Sequence, residues 1–350
     1  MQEPYDEEPR GVDQDGLPAA PTPYSVNQPG EIGLRPSAID VAQGADFGQP
    51  TINAGAVQRS QPAPRIWPVV VIAILSGASF MLCSMVMLVV SIFIVHGEFT
   101  PRMMVSGEAM RAVSADRVGL LLLVIVPQLA LVMPSLLAAY FSPVPMTKRL
   151  SLVRGHWPLW AWVAAAATTP LIGWISSVLI GSLMEESENL KMMSDIFRGH
   201  GESGFLIPLA FLIGATPAFC EELLFRGYVQ TRLNRRIGPA LGILLSSAAF
   251  ALFHIDVIHV IAVFPLGVYL GIVAWRSGSL IPAMLGHFVN NSISVFAVVL
   301  GPESMDQTPT PEMAVFLLGV LGTGLVGAAF TAFAMWRLPV PKAPALVTAQ

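Results

Sequence analysis

The sequence predicts an all-α fold: a polytopic transmembrane helical bundle of about eight spans, behind a disordered N-terminal tail. Three observations carry this. Of the 350 residues 54% are hydrophobic and only 12% charged, with a mean hydropathy of +0.64. A soluble domain carries about 25% charged residues. The apolar residues also fall into long runs, close to the ~20 residues a helix needs to cross a bilayer. The third observation is the contrast with residues 1–65, rich in Pro, Gly, Gln and Asp. A segment so poor in large apolar side chains cannot offset its own ordering entropy.

Taken in order, residues 1–65 read as a disordered cytoplasmic tail. Its acidic start, "MQEPYDEEPRGVDQDG", lacks the basic and apolar regions of a signal peptide. After Arg65 the composition changes abruptly, and eight spans are expected: 67–95, 118–141, 157–183, 204–225, 239–255, 258–275, 279–300 and 313–336. The fifth and sixth are short and closely joined. Residues 66–156 form an N-terminal pair of spans, 157–305 a core, and 306–350 the last span with a short tail. Trp67, Trp157, Trp160, Trp275 and Trp336 sit near span ends, where an aromatic belt would put them. Pro127, Pro170, Pro217 and Pro265 lie inside spans, where membrane helices tolerate them.

Lys and Arg give the orientation. With the N-terminus inside, fourteen fall in cytoplasmic segments and five outside, which puts both termini in the cytoplasm of a bacterial-type cell membrane. The net charge of -4 gives no reason to expect a nucleic-acid partner. Cys83 and Cys220 lie in apolar runs, so neither a disulfide framework nor a cysteine zinc site is expected.

Ionisable residues inside a span are costly and mark function by default. Three segments hold them: "CEELLFRG" at 220–227, "FALFH" at 250–254 and "HFVNN" at 287–291. Glu221 and Glu222 are about 100° apart on a helix and cannot face the same way. Arg226 follows Glu222 at i+4, the favoured arrangement for a helical pair. Glu222 is therefore neutralised within its own helix. Glu221 is the freer carboxylate and the candidate general base. The bland reading is an ion-pair network that only ties helices together, and a lone histidine in a span can equally be a packing residue.

Position favours the first reading. Glu222 and His254 each lie ~24 Å along a regular helix from the turn near Gly238. His287 and Asn291 enter from the same side, so three helices bring Glu, His, His and Asn to a similar depth. A carboxylate and a histidine can activate water, while a second histidine and an asparagine donate to an oxyanion in a low-dielectric site. Alternatively, Glu221, His254 and His287 are the residue types of a three-ligand catalytic zinc set. Residue types alone leave both versions open.

These segments match E-E-x-x-x-R, F-x-x-x-H and H-x-x-x-N. In this order, within apolar helices, the set resembles the CPBP intramembrane proteases, also called the CAAX protease and bacteriocin-processing (Abi) family. The resemblance spans roughly residues 160–300. It implies an intramembrane endopeptidase similar to the type 2 CAAX prenyl protease, acting on a membrane-embedded or lipid-anchored peptide or protein. It implies that Glu221 activates water with help from His254, that His287 and Asn291 bind the oxyanion, and that Glu222 and Arg226 complete the first motif. Such families have been described both as metalloproteases and as glutamate-dependent peptidases.

Other polar residues are expected to be structural: Asp256 and His259 in the link between spans five and six, Ser246 and Ser247 bonding backbone, Cys220 packing. Loop 185–203 is expected to hold a short surface helix. The competing function classes are a proton- or ion-coupled transporter using Glu221, His254 and His287 as a relay, and a non-catalytic immunity or scaffold protein.

Overall fold

A computed structural model describes residues 64–301 and 310–340. Nearly all of the expected tail and residues 302–309 of the expected outer loop lie outside these. Among the described residues the fold is helical throughout, and seven helical stretches are long and apolar enough to cross a membrane. The protein is an integral, multi-pass membrane protein by this architecture.

The first helices are α1 (Trp67–His96), the short α2 (Gly107–Ala115) and α3 (Arg117–Tyr140). After α4 (Met146–Arg149) come α5 (Leu159–Gly181) and α6 (Glu188–His200). Then follow α7 (Leu206–Glu222), α8 (Thr231–Ile237), α9 (Pro239–Leu252), α10 (Val257–Ser277), α11 (Ile281–Leu300) and α12 (Pro311–Arg337). Asp116, Ser187, Asp256 and Thr310 cap α3, α6, α10 and α12 with side-chain oxygens, satisfying amides that a helix start leaves open.

The expected eight long spans become seven, because α9 has only 14 residues. That is ~21 Å of helix, against the ~30 Å of a hydrocarbon core. Gly238, in a conformation open to glycine (φ 87°), starts α9 at Pro239, and a turn at Phe253 and His254 ends it. The fourth span also departs from a simple helix. Gly204, at φ 76°, kinks the chain between α6 and α7, and Leu223–Gln230 winds as a π-helix between α7 and α8. The regular-rise depth estimate for Glu222 therefore does not hold in detail. Wide turns of this kind are frequent at functional sites.

The packing has a centre and a rim. α7 packs on α11 and α3; α5 packs on α10, α11 and α12; α9 packs on α10 and α8. α1 leans on α3 and α12 on α5, and both expose most of their large apolar side chains, as lipid-facing helices do. Phe225, Leu223, Leu224, Leu150, Leu280 and Phe250 fill the central core. Trp67 and Trp336 are exposed at helix ends, but Trp157 is wholly buried beside Trp162, so it belongs to the core and not to an aromatic belt. The helix predicted in loop 185–203 is α6, and both cysteines are free.

Candidate active site

α7 ends on the paired glutamates, and the helix surface separates them. Glu222 is fully buried, and Arg226 Nη1 donates to its Oε1 at 2.6 Å. The guanidinium also donates from Nη2 to the Gly267 carbonyl on α10 at 2.9 Å and lies over the Phe250 ring, 4.2 Å from the centroid. Gly267 makes this possible: a Cβ there would meet the Phe250 ring at 3.1 Å and Arg226 Nη2 at 3.4 Å. A buried ion pair needs such further hydrogen bonds to offset its desolvation.

His287, on α11, donates from Nδ1 to the same Glu222 oxygen at 3.0 Å. That bond fixes the tautomer and turns Nε2 toward Glu221, whose Oε2 is 3.9 Å away. Glu222 thus holds both Arg226 and His287. The sequence pairing of Glu222 with Arg226 is present; the link to His287 is additional.

Glu221 faces a cavity of about 300 Å³, lined also by Phe250, His254, His287, Asn290 and Asn291. Its Oε1 accepts a hydrogen bond from Gln128 Nε2 of α3 at 2.8 Å, while Oε2 has no hydrogen-bond partner among the described residues. A polar-lined cavity of this size beside a carboxylate can hold a water.

His254 sits just beyond α9, in the turn, and not on its helical face as expected. Its Nδ1 donates to the Phe250 carbonyl at 3.2 Å, which leaves Nε2 for other partners. The next residue, Ile255, has φ 63°, a costly conformation for a β-branched side chain. Such strain costs about 1–3 kcal/mol and persists only where the surroundings enforce it. Asp256 does so by capping α10, its Oδ1 accepting from the His259 amide at 3.0 Å. Among the described residues Glu221 and His254 share no hydrogen bond; they face one cavity from two sides.

Asn291 also lines the cavity. It accepts from Asn290 Nδ2 at 3.1 Å, and its own Nδ2 donates to the Ile213 carbonyl at 3.4 Å. All six residues selected from the sequence are therefore gathered here: Glu221, His254, His287 and Asn291 on the cavity wall, Glu222 and Arg226 directly behind it.

Four contributors were not selected. Gln128 is a lone amide in an apolar helix, and that polarity was its signal. Phe250 touches Arg226 by its face and meets the rings of His254 and His287 edge-on, at 5.1 and 5.8 Å between centroids. It was visible only as the first letter of a motif. Asn290 stood unremarked beside Asn291. His259, expected at an exposed helix end, instead lines the cavity and meets the His254 ring at 4.5 Å; α10 begins so soon after the turn that its first coil folds back on His254. The expectations for Asp256 as a helix-end residue and for Ser246 hold, Ser246 Oγ donating to the Phe225 carbonyl at 2.8 Å.

The proposed three-ligand zinc set does not fit this arrangement. Among the described residues no three His, Cys, Asp or Glu side chains converge closely enough to hold a metal ion. Glu221 and His287 approach one another, but the His254 ring is turned against Phe250 and His259. A larger hollow of about 770 Å³ between α5 and α12 has no titratable side chain on its wall and offers no chemistry.

Comparison with known proteins bears on the same segment. Residues 203–293 match the family model of the type II CAAX prenyl endopeptidase, Rce1-like. The matched segment contains all six motif residues. No curated protein and no solved structure matches the chain significantly.

Proposed function

We propose that this protein is a glutamate-dependent intramembrane endopeptidase that hydrolyses a peptide bond of a membrane-embedded or lipid-anchored peptide or protein. The observation that carries the proposal is the unequal treatment of two adjacent carboxylates. One is fully buried and committed through Oε1 to Arg226 and His287; the other lines a cavity with three histidines and two asparagines.

In this reading a water lies between Glu221 Oε2 and the scissile carbonyl. Glu221 takes its proton as the water oxygen bonds to the carbonyl carbon. The carbonyl π electrons move to oxygen, and the oxyanion accepts a hydrogen bond from the Asn291 amide beside His287. His254 Nε2 helps orient the water or relay its proton. The proton then passes to the leaving nitrogen, the C–N bond breaks, and a carboxylate and an amine result. Preorganised donors of this kind are worth most in a dry site. No step runs through a metal, and a chelator is expected to leave the cleavage rate unchanged.

The excess of Lys and Arg on one set of loops supports both termini in the cytoplasm. That topology asks the short α9 to return the chain with one face packed on α8 and α10 while Leu241, Leu244, Leu245 and Leu252 stay exposed on the other.

The test uses the full chain in liposomes with a library of membrane-anchored peptides, alongside a proton-flux assay. Cleavage that is lost in His254→Ala at unchanged melting temperature supports the protease. Proton flux without cleavage, abolished by the same substitution, would replace it with the transporter reading.

A further inference from the structure

The cavity around Glu221 does not end at its own wall. Gly173 and Ser177 of α5, with Ser294 and Val298 of α11, also line a second hollow of about 750 Å³. The two spaces share these four residues and so lie side by side. The second is more than twice the size of the first, and its far side is built by α6 and α12, which lie outside the family-matched segment.

Its chemistry is divided. Phe316, Leu317 and Val320 of α12, with Trp174 of α5, make an apolar wall. Opposite them α6 contributes Lys191, Asp195 and Arg198, and Glu186 stands just before that helix. The rim thus carries both signs. Arg198 Nη1 donates to the Gly301 carbonyl at 2.7 Å, which ties α6 to the end of α11, while Lys191 pairs with Glu188 at 2.9 Å within α6. An anionic lipid headgroup would meet Glu186 and Asp195 as like charges. A peptide, with donors and acceptors along its backbone and side chains of either sign, suits a rim of mixed charge and an apolar opposite wall. A volume of this size is typical of ligand sites.

We propose that this vestibule is the subsite that holds the substrate's peptide chain on one side of the scissile bond, while the bond itself sits beside Glu221. The inference rests on the protease reading. It assigns to α6 and α12 the selection of substrates: an apolar stretch against Phe316 and Leu317, with polar or charged residues beside α6.

Two measurements test it on the full chain in phosphatidylcholine and phosphatidylglycerol liposomes. The first places photoreactive benzoylphenylalanine at Phe316 in the Glu221→Gln background and adds a biotinylated, palmitoylated peptide with mixed charges. A biotin adduct at position 316, competed by unlabelled peptide, is expected. Adducts to phospholipid alone, while the same group at Val263 of the catalytic cavity captures peptide, would overturn the subsite. The second measures cleavage by Leu317→Trp, which narrows the vestibule without touching the catalytic cavity. KM should rise roughly tenfold with kcat nearly unchanged, the signature of lost uniform binding. Unchanged KM would overturn the subsite and leave the protease standing. Absence of cleavage by the unsubstituted protein across the peptides would sink the protease reading and the subsite with it.

Discussion

The two faces of the end of α7 are one residue apart in sequence and belong to different regions. On one side Glu222, Arg226, His287 Nδ1 and the Phe250 ring form a sealed polar layer, closed against α10 and α11. On the other, Glu221 opens into the cavity with one hydrogen bond from Gln128 and an unpartnered oxygen. The difference teaches what each carboxylate is for. Charge that is buried and paired contributes rigidity, and charge beside a cavity is available to a reactant.

The contrast can be broken most severely from the sealed side. Arg226→Leu leaves Glu222 buried without its cation and should cost about 3–5 kcal/mol of stability. Glu222→Leu alone should cost a similar amount, and the double substitution distinctly less than their sum, because neither charge is then stranded. Thermal unfolding in detergent measures all three. Additive losses would mean that Glu222 and Arg226 are not a coupled pair.

A smaller effect is expected where α3 reaches the open side. Gln128→Leu removes a hydrogen bond to a carboxylate, worth about 1.5–3 kcal/mol. It should lower the melting temperature by a few degrees and lower kcat through misplacement of Glu221, and Gln128→Asn should recover only part. Equal activity in Gln128→Leu would show that Glu221 is positioned by α7 alone.

Much of this was legible in the sequence, and the reason differs by residue. The pairing of Glu222 with Arg226 follows from helical spacing, which survives even though a π-helical stretch begins at Leu223. The membrane helices follow from apolar run length. What spacing could not give was tertiary: that Gln128, more than 90 residues earlier, reaches Glu221, or that His259 folds back onto His254. The eighth long span failed for a local reason, since the Gly-Pro start and the strained turn after Phe253 leave α9 too short.

His259→Ala should then have a modest effect, of about 0.5–1.5 kcal/mol for a lost ring contact. It should appear as a changed pH profile of cleavage with KM held, because the ring packs on His254. An unchanged profile would make His259 merely a wall residue. The smallest effect belongs to Asp256, outside the spans. The Ser187 side chain and the His259 amide hold its carboxyl below the usual carboxylate range. A depressed folded-state value means that the stabilisation is present above the ordinary aspartate range and is lost as pH falls through the lowered one. The melting-temperature gap between the unsubstituted protein and Asp256→Ala should therefore be open at neutral pH and close under strongly acid conditions. A gap constant with pH would deny the carboxylate that role.

The most direct measurement compares the two neighbours side by side: Glu221→Gln and Glu222→Gln, each assayed for cleavage of a membrane-anchored peptide and for thermal unfolding in the same preparation. Glu221→Gln should lose activity by about 10²–10⁴-fold, the worth of a general base, and melt like the unsubstituted protein. Glu222→Gln should melt at a distinctly lower temperature. Full cleavage by Glu221→Gln, or a Glu222→Gln protein as stable as the original, would contradict the division of labour between the two carboxylates.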